Sequence, residues 1–179
     1  MKQIAVFAVL VLLAGALIAQ ENLPTPPEGY EWVRLQPLRV TFLKPAGWHF
    51  KSEQKGTTQV FYLTREDLDT QRQFVVGLIV NVIRPKTPAA AHAATVLDKY
   101  LESGESKSAW PVTSGSMSGY GALIRRNSRP PVMVHLLSMA NPKTNRVYVM
   151  SFEAPEAEWK AAWAIGQPML ETFIIDDED

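Results

Sequence analysis

The chain has 179 residues, of which 46% are hydrophobic and 20% are charged, and its 18 basic side chains balance 18 acidic ones. This balance excludes nucleic-acid binding through bulk positive charge, and the apolar content excludes disorder driven by net charge. The chain has no cysteine, which excludes disulfides, thiolate nucleophiles and metal sites built on cysteine. We therefore expect one globular domain that is stable without covalent cross-links.

The first residues have the pattern of a secretory signal peptide. Lys2 is followed by an unbroken apolar run, Ile4 to Ile18, and then by small residues. The run is shorter than the ~20 residues that span a bilayer, so the pattern favours a cleaved signal over residues 1–19 rather than an uncleaved anchor. Cleavage after Ala19 and after Ala16 are both compatible with it. We expect an exported protein, with the periplasm favoured and an extracellular location as the alternative.

Residues 21–29 contain three closely spaced prolines, and residues 20–38 are expected to form an extended leader before a domain over residues 39–176. Strands are expected over residues 40–43, 58–64 and 74–83, where β-branched and aromatic residues alternate or form a short apolar run. A helix follows, with Thr87 as N-cap, Pro88 at the first helical position and Gly104 at its end. The polar stretch of residues 105–119 is expected to be a loop.

Three more strands are expected over residues 120–126, 132–140 and 146–152, with a turn at 141–145. Pro155 begins a second helix, in which Pro168 is expected to cause a kink or a break. Residues 177–179 form an acidic tail. Three strands, a helix, three strands and a helix predict the α+β class. The architecture is expected to be an α/β/α sandwich with a central antiparallel sheet of about six strands and two main helices.

Two local matches to nucleophile motifs lack residues or context that the chemistry needs. Gly115–Gly119 resembles a nucleophile elbow, but Met117 occupies the position that needs a serine, and a strand follows instead of a helix. Ser52 and Lys55 have the Ser-x-x-Lys spacing in a polar segment that lacks the partner motifs. No phosphate-binding or dinucleotide-binding glycine motif is present. We therefore expect no enzyme activity.

The histidines and two tryptophans have structural interpretations. His49, His92 and His135 are not spaced as metal ligands, so no metal and no cofactor is expected. Trp159 and Trp163 are four residues apart, which favours packing of both rings in the core; an exposed aromatic anchor is the alternative.

One group of cations is a candidate contact for a partner. Arg125, Arg126 and Arg129, together with Arg84 and Lys86, are hypothesised to form a basic edge that binds carboxylates or phosphates. The alternative is a set of ordinary solvated strand ends, where charge also prevents the addition of foreign strands.

Two segments carry a resemblance to a known family. Val40–Phe50, VTFLKPAGWHF, resembles the opening of PsbP-like and DcrB-like domains, and Arg146–Phe152 with the Trp-bearing helix up to Phe173 resembles their ending. The resemblance spans residues 39–175. It implies an α/β/α sandwich and a mostly non-catalytic family that includes photosystem accessory subunits, a Ran-binding import factor, envelope proteins and effector chaperones. No metal or complex contact of the family has a matching motif in this chain.

These observations predict an exported, non-enzymatic accessory or protein-binding module of the bacterial cell envelope. The expected partner is another envelope protein, with no nucleic acid and no stable membrane anchor after signal cleavage. The alternative is a binder of a lipid or other apolar small molecule in a cleft between the sheet and the C-terminal helix. Pro168 and the adaptable side chains of four methionines motivate that alternative. These methionines are Met117, Met133, Met150 and Met169.

Overall fold

The computed structural model describes residues 23–35, 40–71 and 73–175. The predicted signal segment, 1–19, and the acidic tail, 177–179, lie outside the described residues. In chain order the elements are β1 (Tyr30–Leu35), β2 (Val40–Pro45), β3 (His49–Lys55), β4 (Thr58–Thr64), β5 (Gly77–Ile83), α1 (Ala89–Glu102), β6 (Glu105–Ser114), β7 (Met117–Arg126), β8 (Val132–Asn141), β9 (Arg146–Pro155), α2 (Trp159–Glu171) and β10 (Ile174–Ile175).

The described strands form two antiparallel sheets. Seven strands make the large sheet in the order β3-β4-β5-β9-β8-β7-β6, and the small sheet has the order β1-β2-β10. Most neighbours in the large sheet are consecutive in sequence and joined by short turns, which is the arrangement that favours antiparallel pairing. The α+β prediction is confirmed, and the large sheet has one more strand than the six expected.

The two helices cover opposite faces of the large sheet. Val147 and Val149 of β9 pack in a cluster with Ala89, Ala93 and Leu97 of α1. The alternate residues of β9 pack on the other face in a cluster that includes Ala162 and Met169 of α2; they are Tyr148, Met150 and Phe152. Because side chains alternate along a strand, β9 is buried on both faces and forms the centre of the sandwich.

Part of the expected leader belongs to the fold. β1 lies within residues 20–38 and pairs with β2 along its whole length, from Tyr30 opposite Pro45 to Leu35 opposite Val40. Trp32 donates an indole hydrogen bond of 2.7 Å to the carbonyl of Pro24, so the proline-rich stretch also contacts this strand. The proline content of residues 24–27 favoured the leader interpretation and concealed the strand that follows.

The prediction of a loop over residues 105–119 is wrong. Glu105–Ser114 is the edge strand β6, a tight turn follows at Gly115, and β7 begins at Met117 rather than at residue 120. Nearly all of β6 is exposed, so it has no apolar alternation that would distinguish it from a loop. The polar segment with Ser52 and Lys55 is likewise an edge strand, β3. Two residues three apart on a strand point to opposite faces, which removes the Ser-x-x-Lys match.

The starts of both helices differ from the sequence expectations. Pro88, not Thr87, is the N-cap of α1, and no side chain near it in sequence caps the helix. Instead, the Ala89 N–H donates to Asn145 Oδ1 at 2.8 Å. Pro155 precedes one 3₁₀ turn, after which α2 continues past Pro168 to Glu171. Neither described helix has the length and hydropathy of a membrane span.

Candidate protein-binding surface

The central strand β9 defines two ends of the large sheet. Arg146 lies at one end and Pro155 at the other, and nine residue steps of about 3.3 Å separate them by roughly 30 Å. Arg126 pairs with Val132, which pairs with Pro155. Ile83 pairs with Val147, so Arg84 lies beside Arg146.

The four arginines singled out in the sequence are therefore not one basic edge. Arg125, Arg126 and Arg129 lie at the Pro155 end, and Arg84 lies at the Arg146 end with Lys86 close by. Antiparallel pairing sends the ends of alternate strands to opposite sides of the sheet, which separates the residues that the hypothesis grouped. The expected joint surface of these residues does not exist.

Arg125 and Arg126 bind acidic partners of the same chain. The Nε of Arg125 lies 2.9 Å from both carboxylate oxygens of Glu156, and this guanidinium holds the pKa of Glu156 below its ordinary value. Arg126 donates to Glu153 Oε2 at 2.9 Å, and its guanidinium lies 5.1 Å from the centre of the Tyr100 ring. Both arginines are therefore committed to intramolecular contacts.

Arg65 makes the same kind of contact on the other side of this end. It donates from Nε to Glu66 and from Nη1 to Glu158, both at 2.8 Å. Glu66 is buried and accepts hydrogen bonds from the backbone of Val75 and Val76, which closes the loop between β4 and β5. We call this region the paired end. It comprises Arg65, Glu66, Arg125, Arg126, Glu153, Glu156 and Glu158.

The opposite end of the sheet has a different charge arrangement. Arg84, Lys86 and Lys143 are exposed and form no salt bridge within residues 23–35, 40–71 and 73–175. Arg146 is half-buried beside them. The stretches that pass through this end, residues 54–64, 79–97 and 141–152, contain no Asp or Glu. We call Arg84, Lys86, Lys143 and Arg146 the basic end.

Asn145 fixes two parts of the basic end to each other. Its amide nitrogen donates to the carbonyls of Pro85 at 3.2 Å and Thr87 at 3.4 Å, while its Oδ1 accepts from Ala89. Asn145 has a φ of 50°, a left-handed conformation that asparagine tolerates better than most residues. Lys86 is thereby held next to the turn that carries Lys143.

A groove of about 210 Å³ opens at the basic end. Arg84 and Arg146 form one side, and the polar side chains of the β3–β4 turn region form the other. Gln59 donates to the carbonyl of Glu53 at 3.1 Å, and Gln54 to that of Gly56 at 2.7 Å, so both amides are held in place. The nearest carboxylate in sequence, Glu53, already binds Lys55 and the Tyr62 hydroxyl. The groove is lined by Gln54, Thr57, Gln59, Val82, Arg84 and Arg146.

The histidines do not assemble a reactive site in the described part of the chain. His49 is exposed and His92 is half-buried on α1. His135 lies between Trp110 and Trp163, with ring centres 5.3 Å and 4.4 Å away, and its buried Nδ1 has no hydrogen-bond partner there. Burial lowers the pKa of His135 to about 4. Among the described residues, no three His, Asp or Glu side chains are grouped as metal ligands.

The tryptophans of α2 are half-buried and pack against the core. Trp159 and Trp163 stack with ring centres 5.4 Å apart, and both contact the core cluster around Phe152. Gly166 lies on the same face, where an added Cβ would be 2.4 Å from a ring carbon of Phe152. The side chains fill the sheet–helix interface at this point, where the sequence analysis considered an apolar ligand.

Sequence reasoning missed two residues of the basic end. Lys143 appeared only as part of a turn, and Arg146 only as the first residue of a strand. The signal that could have found them is the absence of Asp and Glu near Arg84, Lys86, Lys143 and Arg146 in three separate stretches. Only the strand pairing brings those stretches together.

Comparisons with known proteins support the fold. The sequence matches no protein-family model and no curated protein. Among solved structures, the Ran-binding protein Mog1p of Saccharomyces cerevisiae is similar, with 16% identity and a TM-score of 0.52 over 83% of this chain and 96% of Mog1p. Cyanobacterial PsbP (CyanoP) of Synechocystis sp. PCC 6803 is also similar, with 10% identity and a TM-score of 0.53 over 84% of this chain and 95% of CyanoP. The chain thus has a PsbP-like fold, as the sequence resemblance implied.

Proposed function

We propose that this protein is an exported, non-enzymatic protein-binding or accessory module of the bacterial cell envelope. The observation that carries the proposal is the basic end, where three exposed cations have no acidic partner in the described residues, although the chain as a whole is neutral. Cations kept without internal partners contribute little to folding and remain available to another molecule.

The comparisons support the binding part of the proposal, because a protein with this fold, Mog1p, is named as Ran-binding. Export rests on the apolar segment Ile4–Ile18 and the small residues after it. The envelope assignment rests on that segment together with the DcrB-like resemblance. At Gly166 the sheet–helix interface leaves no room for an apolar ligand, since an added Cβ there would be 2.4 Å from the Phe152 ring.

The test combines localisation with crosslinking in the native cells. The tagged full chain is expected in the envelope fraction, whereas a variant lacking residues 1–19 stays in the cytoplasm. Chemical crosslinking followed by mass spectrometry is expected to give one reproducible protein partner, absent from a tag-only control. Failure to leave the cytoplasm would refute the export part. Turnover of a substrate by the purified protein, or the absence of any crosslinked partner, would refute the binding part.

A further inference from the structure

We propose that the basic end binds an extended acidic segment of the partner, with one carboxylate in the groove between Arg84 and Arg146. The proposal rests on the proposed function and names the chemistry of the partner. Its basis is the arrangement of four cations, a polar groove and an asparagine clamp at one end of an otherwise charge-balanced sheet.

The groove has the chemistry of a carboxylate site. Arg84 and Arg146 come from neighbouring strands, one residue beyond the pair Ile83–Val147, and both line it. Guanidinium groups bind carboxylates through two parallel hydrogen bonds, and the Thr57 hydroxyl adds a further donor. No acidic side chain lines the groove. A negative group between the arginines would also relieve the repulsion of like charges on adjacent strands.

The basic end together with its groove is wider than a single anion. Lys143 lies in the turn after β8, and Gln54 lies at the end of β3. Four strand spacings of about 4.8 Å separate these two strands, which gives roughly 19 Å. One carboxylate or phosphate cannot contact both sides of such a surface. An extended polypeptide with a rise of about 3.3 Å per residue covers this distance with about six residues.

The backbone of the basic end is preorganised by hydrogen bonds within the fold. The Asn145 clamp joins the segment of Lys86 to the turn of Lys143 through three hydrogen bonds. The first turn of α1, which starts at this clamp, contains no acidic residue. Its helix dipole therefore adds positive potential to that of the four side chains. A partner that meets preorganised cations loses less conformational freedom than one that must order them.

The test is a binding measurement with a defined probe. A fluorescently labelled octapeptide of alternating Asp and Glu is titrated with the purified protein at low and at physiological salt, and anisotropy is recorded. An octapeptide of alternating Asn and Gln is the neutral control. The variant R84Q/K86Q/K143Q removes three exposed cations of the basic end. The matched variant K99Q/K160Q/R129Q removes three exposed cations elsewhere and gives the same net charge.

We expect the wild-type protein and the matched variant to bind the acidic peptide with affinities within about twofold of each other. The variant of the basic end is expected to lose at least about tenfold, because each exposed ion pair contributes a few-fold. Added salt should weaken the wild-type complex. Circular dichroism melts should show that both variants are folded, since all six positions are exposed.

Equal losses in both variants, equal binding of the neutral peptide, or no binding of the acidic one would overturn the proposal. Tighter binding to vesicles with anionic lipid than to the peptide would overturn it in favour of a membrane surface. The protein-binding function fails separately: a crosslinked partner that the R84Q/K86Q/K143Q variant captures as well as the wild type leaves the function standing and refutes only this site.

Discussion

The two ends of the large sheet use the same cationic residue types for different purposes. At the paired end, Arg65, Arg125 and Arg126 each lie within 3 Å of a carboxylate, so their charges are neutralised within the fold. At the basic end, Arg84, Lys86 and Lys143 have no such partner in the described residues. Net charge describes neither end, because a neutral chain can still concentrate one sign of charge at one place.

The comparison indicates how an arginine can be assigned to folding or to binding. Arg65 and its acids fix the β4–β5 loop and the start of α2, so their removal should affect stability. Arg84, Lys86 and Lys143 are exposed and form no salt bridge within the described ranges, so their removal should affect association instead. The following predictions run from the largest expected effect to the smallest, and all but the first test this difference.

Acidification should destabilise the protein through His135, which lies in β8 between the two ends of the sheet. Its folded-state pKa, about 4, lies below the ordinary 6.5, so the unfolded chain binds a proton at higher pH than the folded chain does. Stability is therefore retained above pH 6.5 and lost as the pH falls towards 4, by as much as about 3 kcal/mol. Urea unfolding at several pH values measures this. His135→Phe should flatten the curve in that window; an unchanged curve would show that other groups cause the loss.

Removing the charge partner of a buried acid should damage the paired end. Glu153 is only 8% exposed, and apart from Arg126 it is contacted by the Ser151 hydroxyl at 3.1 Å. Arg126→Met should lower the free energy of unfolding by about 2 kcal/mol, because a buried carboxylate is left unpaired. Glu153→Gln in the same chain should recover part of this loss in chemical denaturation. No recovery would mean that Arg126 acts mainly through its contact with Tyr100.

The Asn145 clamp should link stability to binding at the basic end. Asn145→Gly keeps the left-handed backbone accessible and removes three hydrogen bonds, and we expect a loss of about 1 kcal/mol. The acidic peptide should also bind more weakly, since Lys86 is no longer held beside Lys143. Thermal melts and anisotropy of one preparation measure both effects. Unchanged peptide affinity together with lower stability would show that the clamp serves only the fold.

Neutralising the basic end should leave stability almost unchanged. Arg84→Gln and Lys86→Gln are expected to change the free energy of unfolding by less than about 0.5 kcal/mol, since both side chains are exposed and lack salt bridges in the described ranges. Denaturant titration at low salt gives the comparison with Arg126→Met. A loss as large as that of Arg126→Met would remove the distinction between the two ends.

The sequence predicts elements whose burial is periodic. β4 occupies residues 58–64 as expected, and β8 and β9 begin where the turn residues place them. β6 and β3 were not predicted, because the side chains of these edge strands mostly face solvent and show no apolar alternation. β1 was not predicted because the prolines before it favoured an extended leader. Its strand conformation depends on pairing with β2, which local sequence does not show.

The candidate surface was much harder to predict than the fold. Arg126 and Glu153 are 27 residues apart, and Arg125 and Glu156 are 31 apart, so nothing local indicates that these charges meet. Arg84 and Arg146 become neighbours only through the β5–β9 pairing. Residue type identified arginine as a candidate for binding, but strand order decides which arginines are neutralised.

The most direct test of the central claim is an NMR titration of the isotope-labelled protein with the acidic octapeptide. Backbone amide shifts report which end of the sheet the peptide contacts. We expect the largest changes at Thr57, Lys86 and residues 143–146, and only small changes at residues 125–129. Shifts concentrated at residues 125–129, or spread evenly over both ends, would contradict the assignment of the basic end as the binding surface.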